Sequence, residues 1–191
     1  MRLLFVSECD IKEQTDLMFV YDSAQLGIPR TRKITKFVYE VTSALNMDDG
    51  KLRVGRLLEN CLTRADTYLT SQKQRLDFDD VSFPDMRGLI RHLASTGFAE
   101  SYGARRYAKK VAVLFLDDEM ENLKQAAHEM ARLRDTHVLV VTIGESGLHT
   151  ALEFSSRPAN DYIIHIPSYK YLHTAKYTLL QRLCNIFSKK T

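Results

Sequence analysis

Three consecutive carboxylates, Asp117, Asp118 and Glu119, follow the six apolar residues Val111 to Leu116. Buried parallel strands read as such apolar runs, and in open α/β sheets ligands bind beyond their carboxyl ends. Acids at that position can hold a divalent cation, take part in phosphoryl transfer, or begin a helix. In the last case the positive end of the helix dipole stabilises each acid by about 0.3–1 kcal/mol. Asp22 closes a second apolar run, Leu17 to Tyr21, in an equivalent place.

Phosphoryl transfer is the weaker reading. A phosphate-accepting receiver domain ends its first strand in a pair of acids much like Leu116-Asp-Asp-Glu119, and that pair holds magnesium while a third aspartate is phosphorylated. Here the acids come past the middle of the chain, and the later strand ends read Gly144 and Pro167. Other enzyme signals are absent: no G-x-x-x-x-G-K, and no G-x-G-x-x-G after a strand. Gly144-Glu-Ser-Gly147 lacks the spacing of a nucleophile elbow. The six histidines show no ligand spacing, so they read as surface or packing residues.

A second constellation is basic. Arg105 and Arg106 are separated by two residues from Lys109 and Lys110, so a helix or tight loop could gather all four on one side. That spacing resembles a heparin-binding pattern, in which a sulfated chain gains from counterion release. The other reading is a solvated basic loop leading into a strand. The three cysteines, Cys9, Cys61 and Cys184, are too far apart for a C-x-x-C motif. By count alone they fit either one disulfide joining the chain's two ends or three buried thiols of a cytosolic protein. No Asn-x-Ser/Thr site breaks the tie.

The elements that position these residues alternate. Strands are expected at 16–22, 51–58, 65–70, 111–116, 138–143 and 162–166. Between them lie helices with apolar residues at the 3, 4, 7 spacing. One turns Ile34, Phe37, Val38, Val41 and Leu45 inward, after punctuation at Gly27 and Pro29. Another, opened by Ser82 and Pro84, turns Met86, Leu89, Ile90 and Leu93 inward. A third carries Leu123, Ala126, Ala127, Met130 and Leu133. A short one follows from Leu148 to Phe154. The closing helix, about 169–187, carries Leu172, Ala175, Leu179, Leu183 and Phe187. This order predicts an α/β fold. It is a doubly wound, mostly parallel six-stranded sheet with one short antiparallel edge strand and helices on both faces. With 45% apolar and 27% charged residues and a net charge of +3, the 191-residue chain fits one globular domain, taken as 10–188 after an extension at 1–9. No segment approaches the ~18 apolar residues of a membrane helix. The four-residue apolar run at the start is shorter than a signal-peptide core, so a secreted protein would here lack its leader.

The whole order resembles a von Willebrand factor type A domain, most closely the branch found in type VI collagen and matrilins. Asp16 to Asp22 looks like that family's first strand and Lys51 to Gly55 like its second. Gly103 to Asp117 looks like its loop and central fourth strand, and Ala126 to Gly144 like a helix followed by the strand ending in Ile-Gly. The resemblance implies a disulfide between Cys9 and Cys184, leaving Cys61 free.

Many members carry a metal-ion-dependent adhesion site: Asp-x-Ser-x-Ser after the first strand, a loop threonine, and an aspartate after the fourth. Two hydroxyls in a hard-oxygen shell leave Mg²⁺ enough charge to capture a partner's carboxylate. Asp22 and Asp117 match the aspartates. Ala24 and Leu26 stand at the serine positions, and Ser82 or Phe83 is nearest the threonine. The site is therefore expected to be degenerate, with Asp22, Ser23 and Asp117 as its remnant, Asp118 and Glu119 outside it, and no metal or other cofactor. The competing reading is weak occupancy through those three residues and water. The resemblance implies a secreted, non-enzymatic module of the extracellular matrix that binds collagen or other matrix proteins. Heparin-like glycosaminoglycan is a further expected partner, through Arg105, Arg106, Lys109 and Lys110. Nucleic acid and membrane insertion are not expected. The competing class is an intracellular α/β scaffold or receiver-like signalling domain.

Overall fold

A computed structural model describes residues 9–47, 49–58, 67–70, 85–145 and 147–189. Six strands form one sheet: β1 (Thr15–Tyr21), β2 (Leu52–Leu58), β3 (Thr67–Thr70), β4 (Lys109–Asp117), β5 (Thr136–Ile143) and β6 (Ile163–Ile166). Their spatial order is β3-β2-β1-β4-β5-β6. All neighbours are parallel except β3, which runs antiparallel at the edge beside β2. β1 and β4 occupy the middle, and every residue of β1 is buried. That is why the two strands read as unbroken apolar runs rather than alternating ones. The chain winds outward in both directions from the β1–β4 pair. This is the point where an open sheet leaves a crevice at its carboxyl edge.

The helices are α1 (Ser23–Thr42), α2 (Met86–His92), α3 (Leu123–Ala127), α4 (Gly147–Phe154), α5 (Ala159–Tyr162) and α6 (Ala175–Ser188). α1 packs with α6, while α2, α3 and α4 pack together. The inward stripe of α1 is the expected one: Ile34, Phe37, Val38 and Val41 are buried. An aromatic group locks it to the sheet. Phe115 of β4 meets Tyr21 at 5.9 Å and Phe37 at 6.0 Å between ring centroids, both edge-on.

Several boundaries differ from expectation. α1 begins directly after Asp22, and Gly27 and Pro29 lie inside it as a break, with Gly27 at φ 69 and ψ 167. A residue with a side chain is strained there, and proline supplies no amide to continue the helix. α2 is capped by Asp85, whose carboxylate accepts from Gly88 N at 2.9 Å; Ser82 and Pro84 lie outside the described residues. The long helices expected after β4 and at the end are each divided. α3 passes into a 3-10 turn at His128–Leu133, and a 3-10 turn at Tyr169–Thr174 precedes α6. Thus Asp117, Asp118 and Glu119 do not begin a helix; α3 starts at Leu123.

Candidate functional site

Asp22 and Asp117 stand at the carboxyl ends of the two central strands, as expected. Asp22 caps α1. Its carboxylate accepts from Gln25 N at 3.0 Å and from Gln25 Nε2 at 2.7 Å. It is fully buried, and desolvation raises its pKa against the opposing hydrogen bonds from Gln25. Gln25 also links the two strand ends, because its Oε1 accepts from Glu121 N at 2.6 Å.

Asp117 is 4% exposed and has no idle oxygen. Oδ1 accepts from Glu119 N at 2.9 Å, a local turn that explains why the chain does not enter a helix here. Oδ2 accepts from the Tyr169 hydroxyl and from Arg30 Nη1 at 3.4 Å. The second arm of that guanidinium pairs with Glu119 at 2.7 Å, and Arg30 Cζ lies 5.6 Å from the centroid of the Tyr169 ring. Burial, with the hydrogen bond to Asp117, pushes the Tyr169 phenol far above its ordinary range, so it acts as a donor. The hydrogen bond to Glu119 in turn raises the pKa of Arg30. Asp118 is engaged separately: its Oδ2 accepts from Glu145 N at 3.0 Å. Its carboxylate lies 2.2 Å from where a Cβ on Gly144 would sit, and Gly144 has φ +113, so that position requires glycine.

The Glu119 side chain thus reaches the remnant through Arg30, and Arg30 and Tyr169 are contacts of Asp117 that the sequence reading did not name. Their signal in the sequence was weak, because a basic residue on a helix and a tyrosine before one are ordinary. The arrangement also tests the metal. A divalent cation of this type needs about six hard oxygens. Here Ala24 and Leu26 contribute none, Leu26 is packed into the core, and both carboxylates are taken by protein donors. A guanidinium already supplies positive charge beside Asp117. Among the described residues of the remnant, Ser23 Oγ is buried without a hydrogen-bond partner. As placed, the described residues leave no oxygen of Asp117 free for a cation, and Ser82 and Phe83, nearest the threonine position, lie outside the described residues.

The basic constellation at 105–110 is not brought together. Arg105 is folded inward: its amide and guanidinium both bond the Asp16 carboxylate, at 2.6 Å from N and 2.7 Å from Nη2. It also reaches the carbonyls of Gly50, Thr15 and Lys51. Lys109, with a side chain 3% exposed, pairs with Glu13 at 2.7 Å and donates to the carbonyls of Ile186 and Lys189. Of the four, Arg106 is exposed and Lys110 half-buried. At the chain's ends Cys9 and Cys184 are bonded, with their Cα atoms 5.1 Å apart. Cys61 lies outside the described residues.

A sequence model of the von Willebrand factor type A domain matches residues 16–177. The chain belongs to that family. The receiver-like reading of the acidic run falls with this assignment. Among curated relatives, the collagen alpha-5(VI) chain of Homo sapiens is 24% identical over 97% of this chain. Matrilin-1 of Bos taurus is 22% identical over 89% of it. The chain spans 8% of that collagen and 33% of that matrilin. Proximal thread matrix protein 1 from the mussel byssus superposes with a TM-score of 0.69 at 16% identity, covering 93% of this chain and 49% of that one, in a structure described as having a zinc-occupied MIDAS motif. The pilus adhesin SpaC of Lactobacillus rhamnosus GG superposes at 0.59 with 11% identity, over 92% of this chain and 30% of that one. At such identities the likeness speaks for the fold. The family and its matrix relatives agree with a non-enzymatic matrix module.

Proposed function

We propose that this type A domain is a secreted matrix module that binds collagen or another matrix protein through its surface, without a metal ion at the strand ends. One observation carries the metal-independent part: Asp117 is saturated by Arg30, Tyr169 and the Glu119 amide. A metal-dependent type A domain captures a partner's carboxylate with an open cation, and here a side-chain cation is already neutralised by Asp117 and Glu119. Relatives in collagen and matrilin support the matrix setting, and the Cys9–Cys184 pair fits an oxidising compartment.

The test is a solid-phase screen of the domain against collagens and other matrix proteins, with and without chelator. Saturable binding unchanged by chelator is the expected result. Binding abolished by chelator and restored by Mg²⁺ would overturn the reading. Counting thiols on protein from its natural source separates the compartments: one free thiol is expected here, and three would place the chain inside the cell.

A further inference from the structure

Residues 23–39 contain no aspartate or glutamate, and neither do residues 162–191. Together the two stretches hold nine lysines and arginines, against a net charge of +3 for the chain. The fold sets their described parts side by side, because α1 packs against both the 3-10 turn Tyr169–Thr174 and α6. Part of this charge is spent internally. Arg30 serves Asp117 and Glu119, Arg182 donates to the Ile163 carbonyl, and Lys36 reaches Glu40 at 3.9 Å. Lys33, Lys170 and Lys176 have no carboxylate partner among the described residues. Lys33 Nζ lies 5.8 Å from the centroid of Tyr169, and Lys170 Nζ 5.8 Å from that of Tyr171. Tyr169 therefore joins the α1 row of cations to the C-terminal one. Tyr171 and Tyr177, 43% and 65% exposed, extend the surface with aromatic rings.

We propose that this lysine–tyrosine face, formed by α1 and the segment Tyr169–Tyr177, binds sulfated polysaccharide chains. Uncompensated ammonium groups spread over two elements suit an extended polyanion, which releases condensed counterions as each charge is matched. Lysine is a compact point charge without the fork that selects a single carboxylate, and exposed tyrosines offer flat amphipathic faces for sugar rings. The choice of a polysaccharide over nucleic acid rests on the matrix function proposed above. The face lies apart from 105–110, where Arg105 and Lys109 are consumed by the fold.

The experiment compares wild type, the triple variant Lys33→Ala/Lys170→Ala/Lys176→Ala and the control Arg106→Ala/Lys110→Ala, by titration with heparin at several NaCl concentrations. None of these side chains belongs to the hydrophobic core, and thermal melts verify that all three proteins fold. We expect the triple variant to bind at least about 10-fold more weakly at 0.15 M NaCl, with a salt slope shallower by roughly two to three, and the control to change little. Equal affinity of wild type and triple variant overturns the proposal, as does a loss confined to the control. Equal loss of binding to duplex DNA and heparin would show a charge sink rather than a polysaccharide site, and would also overturn it. Binding to purified collagen, measured on the same variants, reports separately on the matrix-protein reading.

Discussion

The Tyr169 hydroxyl donates to the Asp117 carboxylate, tying the segment after the last strand to the end of a central one. The same ring stacks on Arg30, which pairs with that carboxylate from α1. Three elements thus converge on one buried acid. Replacing Tyr169 by Phe keeps the ring and removes the donor. A buried acceptor that loses a partner costs about 1–3 kcal/mol, so Tyr169→Phe should lower the melting temperature with little change in the fold. An unchanged melt would show that the bond contributes nothing.

Arg30→Ala should cost about 1–2 kcal/mol, because Asp117 then stays buried without its charged partner, although Arg30 itself is 32% exposed and partly screened. Calorimetry on the wild type and Asp117→Ala addresses the metal question. Wild type should show no saturable heat with millimolar Mg²⁺ or Mn²⁺ in calorimetry. Saturable wild-type binding abolished by Asp117→Ala would instead establish weak occupancy through Asp22, Ser23 and Asp117.

Acid should destabilise the domain through Glu129. Hydrogen bonds from Arg91, Arg132 and Arg87, at 2.7, 2.7 and 3.1 Å, lower its pKa to about 2. A depressed carboxylate contributes stability that is complete above its unfolded value and lost as pH falls toward the folded one. Melting temperature should therefore drop between the ordinary glutamate range and pH about 2. Glu129→Gln should flatten that part of the curve. Asp22, raised by burial, acts in the opposite sense. A pH profile identical in the two proteins would remove Glu129 from the account.

Peptide mapping without reduction should recover Cys9 linked to Cys184. The two are 175 residues apart, so closing the loop stabilises the fold by about 5 kcal/mol in the chain-entropy model. Reduction should lower stability accordingly. A peptide bridged through Cys61 would refute the pairing.

Periodicity made the fold readable. β1 and β4 are buried on both faces and so appear as unbroken apolar runs, and the inward stripe of α1 follows from helical spacing alone. The two strand-end aspartates were legible for the same reason. What filled the space between them was not, because Arg30, Asp117 and Tyr169 lie far apart in sequence and meet only through the winding of the sheet. The basic pattern at 105–110 misled for a related cause. Asp16, at the start of β1, draws Arg105 inward, and nothing local to that loop reveals it. The turn from Asp117 to Glu119 shows a third limit, where one side-chain hydrogen bond to a nearby amide outweighs the dipole preference that would start a helix.

The saturation of Asp117 also bears on reversibility. Exchanging Ala24 and Leu26 for serines would restore two hydroxyls to a site whose key acid still holds a guanidinium and a phenol. Removing Arg30 first would leave a buried carboxylate short of a partner, before any ion could compensate for it. Removing Arg30 alone therefore costs stability without delivering a cation site, and building one from these residues requires at least three coordinated changes. An arginine held in this way by Asp117 and Glu119 is simple to maintain and costly to remove.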